Sequence, residues 1–206
     1  MKKILALILA AIMLFAVVSC GNTNNDGKDN DTNGTSNDTE NNTELAYNSP
    51  VELLTTIWNS FSDDQKFPVG GGNTYNFDTM VDGAPGEFVA LADSDYNANL
   101  GYPEADVSKI DGVASMFHMM NVNTFTMSAF HFINADDASA MVEVLKNNIA
   151  SREWICGFPE KLVIMSAPGN YLIVMWGAGD LIESFVTNTT EAVSGAKVVV
   201  DQALHD

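Results

Sequence analysis

Two strand–turn–strand–helix patterns follow one another between residues 112 and 188, and this tandem restricts the fold more than any other feature of the chain. Gly112–Met120 and Thr124–Ile133 flank Asn121-Val122-Asn123, a triplet that suits a hairpin turn. Thr124, Thr126 and Ser128 alternate with Phe125, Met127 and Ala129, so one face is buried and the other is open or half-covered. Phe130 and Phe132 fall on the polar parity, which implies a bulge or a face that becomes covered. A helix follows, with its N-cap at Asn134 or Asp136 and a stripe of Ala138, Met141, Val142, Leu145 and Ile149. The second unit repeats the order. Lys161–Ser166 and Tyr171–Trp176 flank Ala167-Pro168-Gly169-Asn170, a type II turn by its Pro and Gly positions. A helix from about 178 to 188 carries Leu181, Ile182, Phe185 and Val186 inward, and Ala196–Val200 adds a strand or extends a helix. The expectation is an α+β fold: an antiparallel sheet built from two ββα units, with helices packed on one face.

A helix precedes this sheet. Ser49-Pro50-Val51-Glu52 combines an N-cap serine, proline at the first helical position and glutamate three residues on. Leu54, Ile57, Trp58 and Phe61 then form one stripe, and Asp63-Asp64 and Pro68 end it. Gly70-Gly71-Gly72 reads as a flexible loop, and short helices are expected near Glu87–Ala92 and Asp95–Leu100. Residues 49–206 form one expected α+β domain, large enough to stand on its own core.

The N-terminus has a different character. Lys2 and Lys3 precede an unbroken apolar run from Ile4 to Val18, which describes an export leader. Val17-Val18-Ser19-Cys20 resembles a bacterial lipobox. The resemblance implies cleavage after residue 19 and a thioether-linked, acylated lipid, palmitate or similar, on Cys20. One chain anchors marginally and two or three anchor stably. Residues 20–48 then form a polar, acidic tether that cannot bury enough surface to order itself, with a reach of roughly 30 Å. The expected location is the outer face of the cytoplasmic membrane, held by the lipid on Cys20. Residues 49–206 carry 21 acids and six bases, a net of −15. That field repels nucleic acid and anionic headgroups. Once Cys20 is lipidated, Cys156 is the one remaining thiol, and a small buried apolar side chain is its ordinary reading.

The stretch Ser151-Arg152-Glu153-Trp154-Ile155-Cys156, the Lys161–Met165 strand, the run Tyr171-Leu172-Ile173-Val174-Met175 and the helix after it resemble a domain of unknown function in lipoproteins of Gram-positive anaerobes. Those proteins also begin with a lipobox and a polar linker. The resemblance spans roughly residues 50–190. It implies an extracytoplasmic, lipid-anchored α+β domain and carries no activity and no catalytic residues.

Four groups of residues have chemical potential. Asp93, Asp95, Asn97 and Glu104 occupy positions 1, 3, 5 and 12 of a calcium loop, although Ala98 replaces the turn glycine and Pro103 sits at position 11. Met116, His118, Met119 and Met120 form a soft-ligand set suited to Cu(I), against core filling as the ordinary use of methionine. His118 and His131 are potential acid–base groups. With the hairpin turn centred near Val122 they fall far apart on opposite faces. Thr124, Thr126 and Ser128 define a polar sheet face that serves as the candidate contact surface. No nucleophile elbow, zinc-hydrolase motif or phosphate-binding loop occurs, and no cofactor is implied. The reading that follows is a non-catalytic binding or interaction module at the cell envelope, whose partner is an envelope protein or a small ligand. The alternatives are a small-solute-binding accessory of a transporter and an envelope hydrolase. The hydrolase would need at least a cleft gathering His118 or His131 with a carboxylate.

Overall fold

A computed structural model describes residues 47–120, 124–155 and 157–204. The expected leader 1–19, Cys20, the expected tether up to residue 46, the expected turn residues 121–123, Cys156 and residues 205–206 lie outside them.

Helix α1 (Pro50–Asn59) starts where its sequence signals place it. Ser49 Oγ accepts from the Glu52 backbone N–H at 3.1 Å, and Pro50 fills a position that needs no N–H. The other half of the capping box is displaced by one residue: Glu52 accepts from the backbone N–H and the side-chain amide of Asn48, at 2.8 Å each. The chain continues through strands β1 (Val69–Gly71), β2 (Val81–Asp82) and β3 (Gly86–Glu87), helix α2 (Ser94–Leu100) and a 3-10 helix, Glu104–Lys109. The first hairpin is β4 (Ile110–His118) and β5 (Thr126–Phe132), followed by α3 (Ala135–Ala150). The second is β6 (Lys161–Ala167) and β7 (Tyr171–Gly177), followed by α4 (Gly179–Ala192) and β8 (Lys197–Ala203). The strands form one antiparallel sheet in the order β2-β1-β4-β5-β7-β6-β8, with β3 added on β4.

The α+β class and the two hairpins match the sequence reading, but the helices do not share one face. Helices α1 and α4 pack on one side, with Leu54, Ile57, Trp58, Ile182 and Phe185 against Met116, Met127, Met165 and Met175. Helix α3 packs on the other, with Met141, Leu145 and Ile149 against Phe130, Phe132, Ile164 and Val174. Chain direction explains this. Neighbours β5 and β7 run antiparallel, and each leads through a helix to a strand two places further along in the same direction. Crossovers take the right hand. Two such crossovers leaving from oppositely directed strands must pass over opposite faces. The two faces are therefore both covered, and every residue of β7 is buried. Phe130 and Phe132 need no bulge on β5; they fill the second core, and the irregularity lies in β4 between Ile110 and Gly112.

Two further expectations change. Glu87–Ala92 holds no helix, since Gly86 and Glu87 pair with Ser115 and Ala114 of β4. Gly70-Gly71-Gly72 is no flexible loop: Gly70 and Gly71 lie in a buried strand with Val69. A Cβ on Gly71 would stand 2.1 Å from Gly86 N and 2.4 Å from Ala84 O. Glycine serves here for close backbone approach, not for mobility.

Among the described residues no helix is long and apolar enough to cross a membrane.

Candidate functional site

The chain has one arginine, Arg152, and the structure places it at the end of the sheet where β4 finishes and β5 begins. Helix α3 ends at Ala150, and the Arg152 backbone N–H still reaches Ile149 O at 3.2 Å. Its side chain leaves α3 and crosses to α2. Asn148 ties these helices together, donating to Asn97 Oδ1 at 3.0 Å and to Gly101 O at 2.7 Å. Arg152 Nη2 then donates to Ala98 O at 2.7 Å, a carbonyl in the last turn of α2 that has no helical partner of its own. The guanidinium carbon lies 4.9 Å from the Trp154 ring and 5.7 Å from the Trp176 ring. Both distances suit cation–π contact.

The cleft beside it has a volume of about 230 Å³, with Thr74, Tyr75, Asn99, His118, Thr124 and Thr126 in its wall. Thr74 Oγ1 is hydrogen-bonded to Asn99 Oδ1. The Tyr75 backbone N–H is held by Asn73 Oδ1 at 2.9 Å, and buried Asn73 donates in turn to Asp95 at 2.8 Å. Thr124 has φ of 40°, a left-handed conformation that disfavours a β-branched residue by roughly 1–2 kcal/mol. Backbone strain of this kind clusters at binding sites.

Arg152 forms no ion pair among the described residues, and its Nη1 is buried with no hydrogen-bond partner. Burial pushes its pKa below the ordinary arginine value, although guanidinium remains charged at any pH the fold meets. In a domain of net −15 a half-buried cation without a carboxylate partner is a marked exception.

His118 borders the same cleft as a neutral ring. Its Nδ1 accepts from the Met120 N–H at 2.9 Å, which assigns the proton to Nε2, and the ring stacks on Phe67 at 4.6 Å. Loss of solvent lowers its pKa from 6.5. The unfolded chain therefore takes up the proton at higher pH than the folded one. Stability from the neutral ring is complete above about pH 6.5 and declines as pH falls through the lower folded value. His118→Asn keeps an acceptor for the Met120 N–H and removes the titration. Its unfolding free energy from urea melts should fall less steeply than wild type between about pH 7 and pH 5; equal slopes would refute that assignment.

Of the polar sheet face expected as a contact surface, Thr124 and Thr126 reach the Arg152 cleft and Ser128 does not. Ser128 is fully buried, its Oγ 3.5 Å from Val174 O, because α3 covers that face. The calcium-loop residues do not act as a loop. Ser94–Leu100 is helical, Asp95 accepts from the Leu91 N–H and Asn73, Asn97 is bound to Asn148, and Asp93 and Glu104 are exposed. The Leu91 hydrogen bond, then that of Asn73, holds the Asp95 pKa below its usual value. Among the described residues no three acids or histidines converge as a metal site. Met116 is sealed in the core, so it does not join His118, Met119 and Met120.

His131 and His118 share one face, not two, and stand at opposite ends of the hairpin. The register pairs Phe117 with Thr126 and Gly112 with His131, one residue from the expected alignment. A shift of one flips the face assigned to a side chain. At its own end His131 Nδ1 is bound to Asp111, and both border a cleft of about 380 Å³ with Ser49 and Tyr171. A histidine and a carboxylate thus do meet in a cleft. However, His131 Nε2 is buried and bonded to nothing, while Ser49 Oγ is engaged at the α1 N-cap. The nucleophile–base contact that acyl transfer requires is not formed.

Arg152 was legible only as part of a family-like stretch. The signal that would have found it is charge scarcity: a single arginine beside Trp154 in a strongly acidic domain. No family model, curated protein or solved structure matches the chain.

Proposed function

We propose that this chain is an extracytoplasmic lipoprotein, tethered by lipid on Cys20 to the outer face of the cytoplasmic membrane, whose folded domain is a non-catalytic module that binds an anionic ligand at Arg152. The lipobox, the polar linker and the resemblance to lipoproteins of Gram-positive anaerobes support the anchoring. One observation carries the binding role: Arg152 Nη1 is buried beside a cleft with no partner, and the charge faces no carboxylate. Capping α2 accounts for Nη2 alone. Leaving a buried donor unsatisfied costs about 1–3 kcal/mol, which an anionic oxygen recovers once the guanidinium turns Nη1 toward the cleft.

Isothermal titration of the full chain in detergent with acetate, N-acetylglycine and inorganic phosphate tests this. At least one should bind, and Arg152→Met should weaken it by about tenfold or more, as loss of a charge-assisted hydrogen bond predicts. Arg152→Lys keeps the charge and should give partial binding. Failure of every anion, or undiminished binding by Arg152→Met, would defeat the reading.

A further inference from the structure

We infer that the Arg152 cleft receives the C-terminal carboxylate of a polypeptide whose last residues are apolar. This rests on the binding role proposed for Arg152 and names the class of ligand.

Charge narrows the choice first. The domain carries −15, so a monoanion enters its field at less cost than a phosphate dianion. A carboxylate also matches the planar guanidinium. The wall of the cleft narrows it further. Beside Arg152, its polar side chains are three threonines, Asn99, His118, Tyr75 and two tryptophans, and no carboxylate is among them. A free amino acid would bring an ammonium group within a few ångströms of Arg152 with no acid to receive it. A peptide terminus presents a neutral amide at that position, which Thr74, Thr124, Thr126 and Asn99 can hydrogen-bond. A volume of about 230 Å³ has room for a terminal residue and little beyond it.

The surroundings supply the rest. Tyr75, at the cleft, is 58% exposed. Ile155 directly follows Trp154 and is 90% exposed; Met119 and Met120 directly follow His118 and are 45% and 59% exposed. Exposed apolar side chains next in the chain to residues that line a polar pocket suit a surface for a partner. A small free anion would leave them in water, whereas the residues preceding a C-terminus would cover them. Exposed apolar side chains at and next to the lining of a cleft that holds a cation without an ion pair are complementary to an apolar tail ending in one negative charge.

The test uses the full chain in detergent and N-acetylated pentapeptides ending in Ala-Leu, titrated with tryptophan fluorescence and calorimetry. The free-carboxylate peptide should bind. The C-terminal amide should bind about tenfold or more weakly, and free leucine should show no binding. Ile155→Ser, a neutral change at an exposed position, should weaken the peptide severalfold. Equal binding of amide and carboxylate peptides, or free leucine matching the peptide, overturns the inference. If N-acetylglycine or phosphate binds through Arg152 and the peptide does not, the inference falls and the anion-binding role survives. If no anion binds, both fall.

Discussion

Gly71→Ala is expected to lower the unfolding free energy by about 3 kcal/mol, the upper end of what overpacking produces, because the new methyl meets backbone and not a side chain that can rotate away. Its Cβ would lie 2.1 Å from Gly86 N, 2.4 Å from Ala84 O and 2.5 Å from Pro85 C. Relief requires β1 to separate from the 84–86 segment, and β1 is held on its other side by β4 through the pairs Val69–His118 and Gly71–Met116. The loop after β1 carries Asn73, whose side chain holds the Tyr75 backbone at the Arg152 cleft. The substitution should therefore weaken ligand binding as well as stability. Gly83→Ala supplies the control. It has φ of +75° but nothing within 4 Å of the added atom, so only the conformational penalty of about 1 kcal/mol applies. Urea melts that give the two variants equal losses would mean that the close approach at Gly71 costs nothing, and would refute the prediction.

That contrast shows where sequence reading stopped. Three consecutive glycines carry two opposite meanings, freedom and close contact, and only the partner segment at 84–86 decides between them. The hairpins, α1 and α3 were legible because each is set by local periodicity and caps: Ser49, Pro50 and the Leu54–Phe61 stripe all sit as read. The placement of α3 and α4 on opposite faces was recorded only indirectly, in Phe130 and Phe132 standing on the parity of Thr126 and Ser128. Those two rings announce a second core, while the hydroxyls on the same parity suggest solvent. Ser128 was misassigned for that reason. The histidines failed on a single residue of register, which a hairpin apex without glycine does not specify. At the site, Thr124 and Thr126 were found from alternation, but Arg152, Asn99 and Tyr75 come from three separate segments that only α2, α3 and the loop after β1 bring together.

Phe185→Ala should cost about 3–5 kcal/mol, the range for removing a buried aromatic ring. Phe185 is fully buried and contacts both layers of the first core. From α4 it meets Phe61 at 4.4 Å and Phe125 of the hairpin at 4.5 Å, and it lies 6.3 Å from both Trp58 and Phe67. Among the buried rings of this face it therefore links α1, α4 and β4–β5, and its loss leaves a cavity that no single element can close. Phe185→Leu fills most of that volume and should lose under about 1.5 kcal/mol. The second core, with Arg152 at its margin, is built from different residues on the opposite face of the sheet. Phe125 joins the two regions, since it touches Phe185 and also borders the Arg152 cleft. A destabilised but folded Phe185→Leu protein should thus bind the proposed anion nearly as wild type does, while Phe125→Ala should lose both stability and affinity. Comparable losses in Phe185→Ala and Phe185→Leu would show that filling the volume is not what Phe185 contributes, and would overturn the cavity argument.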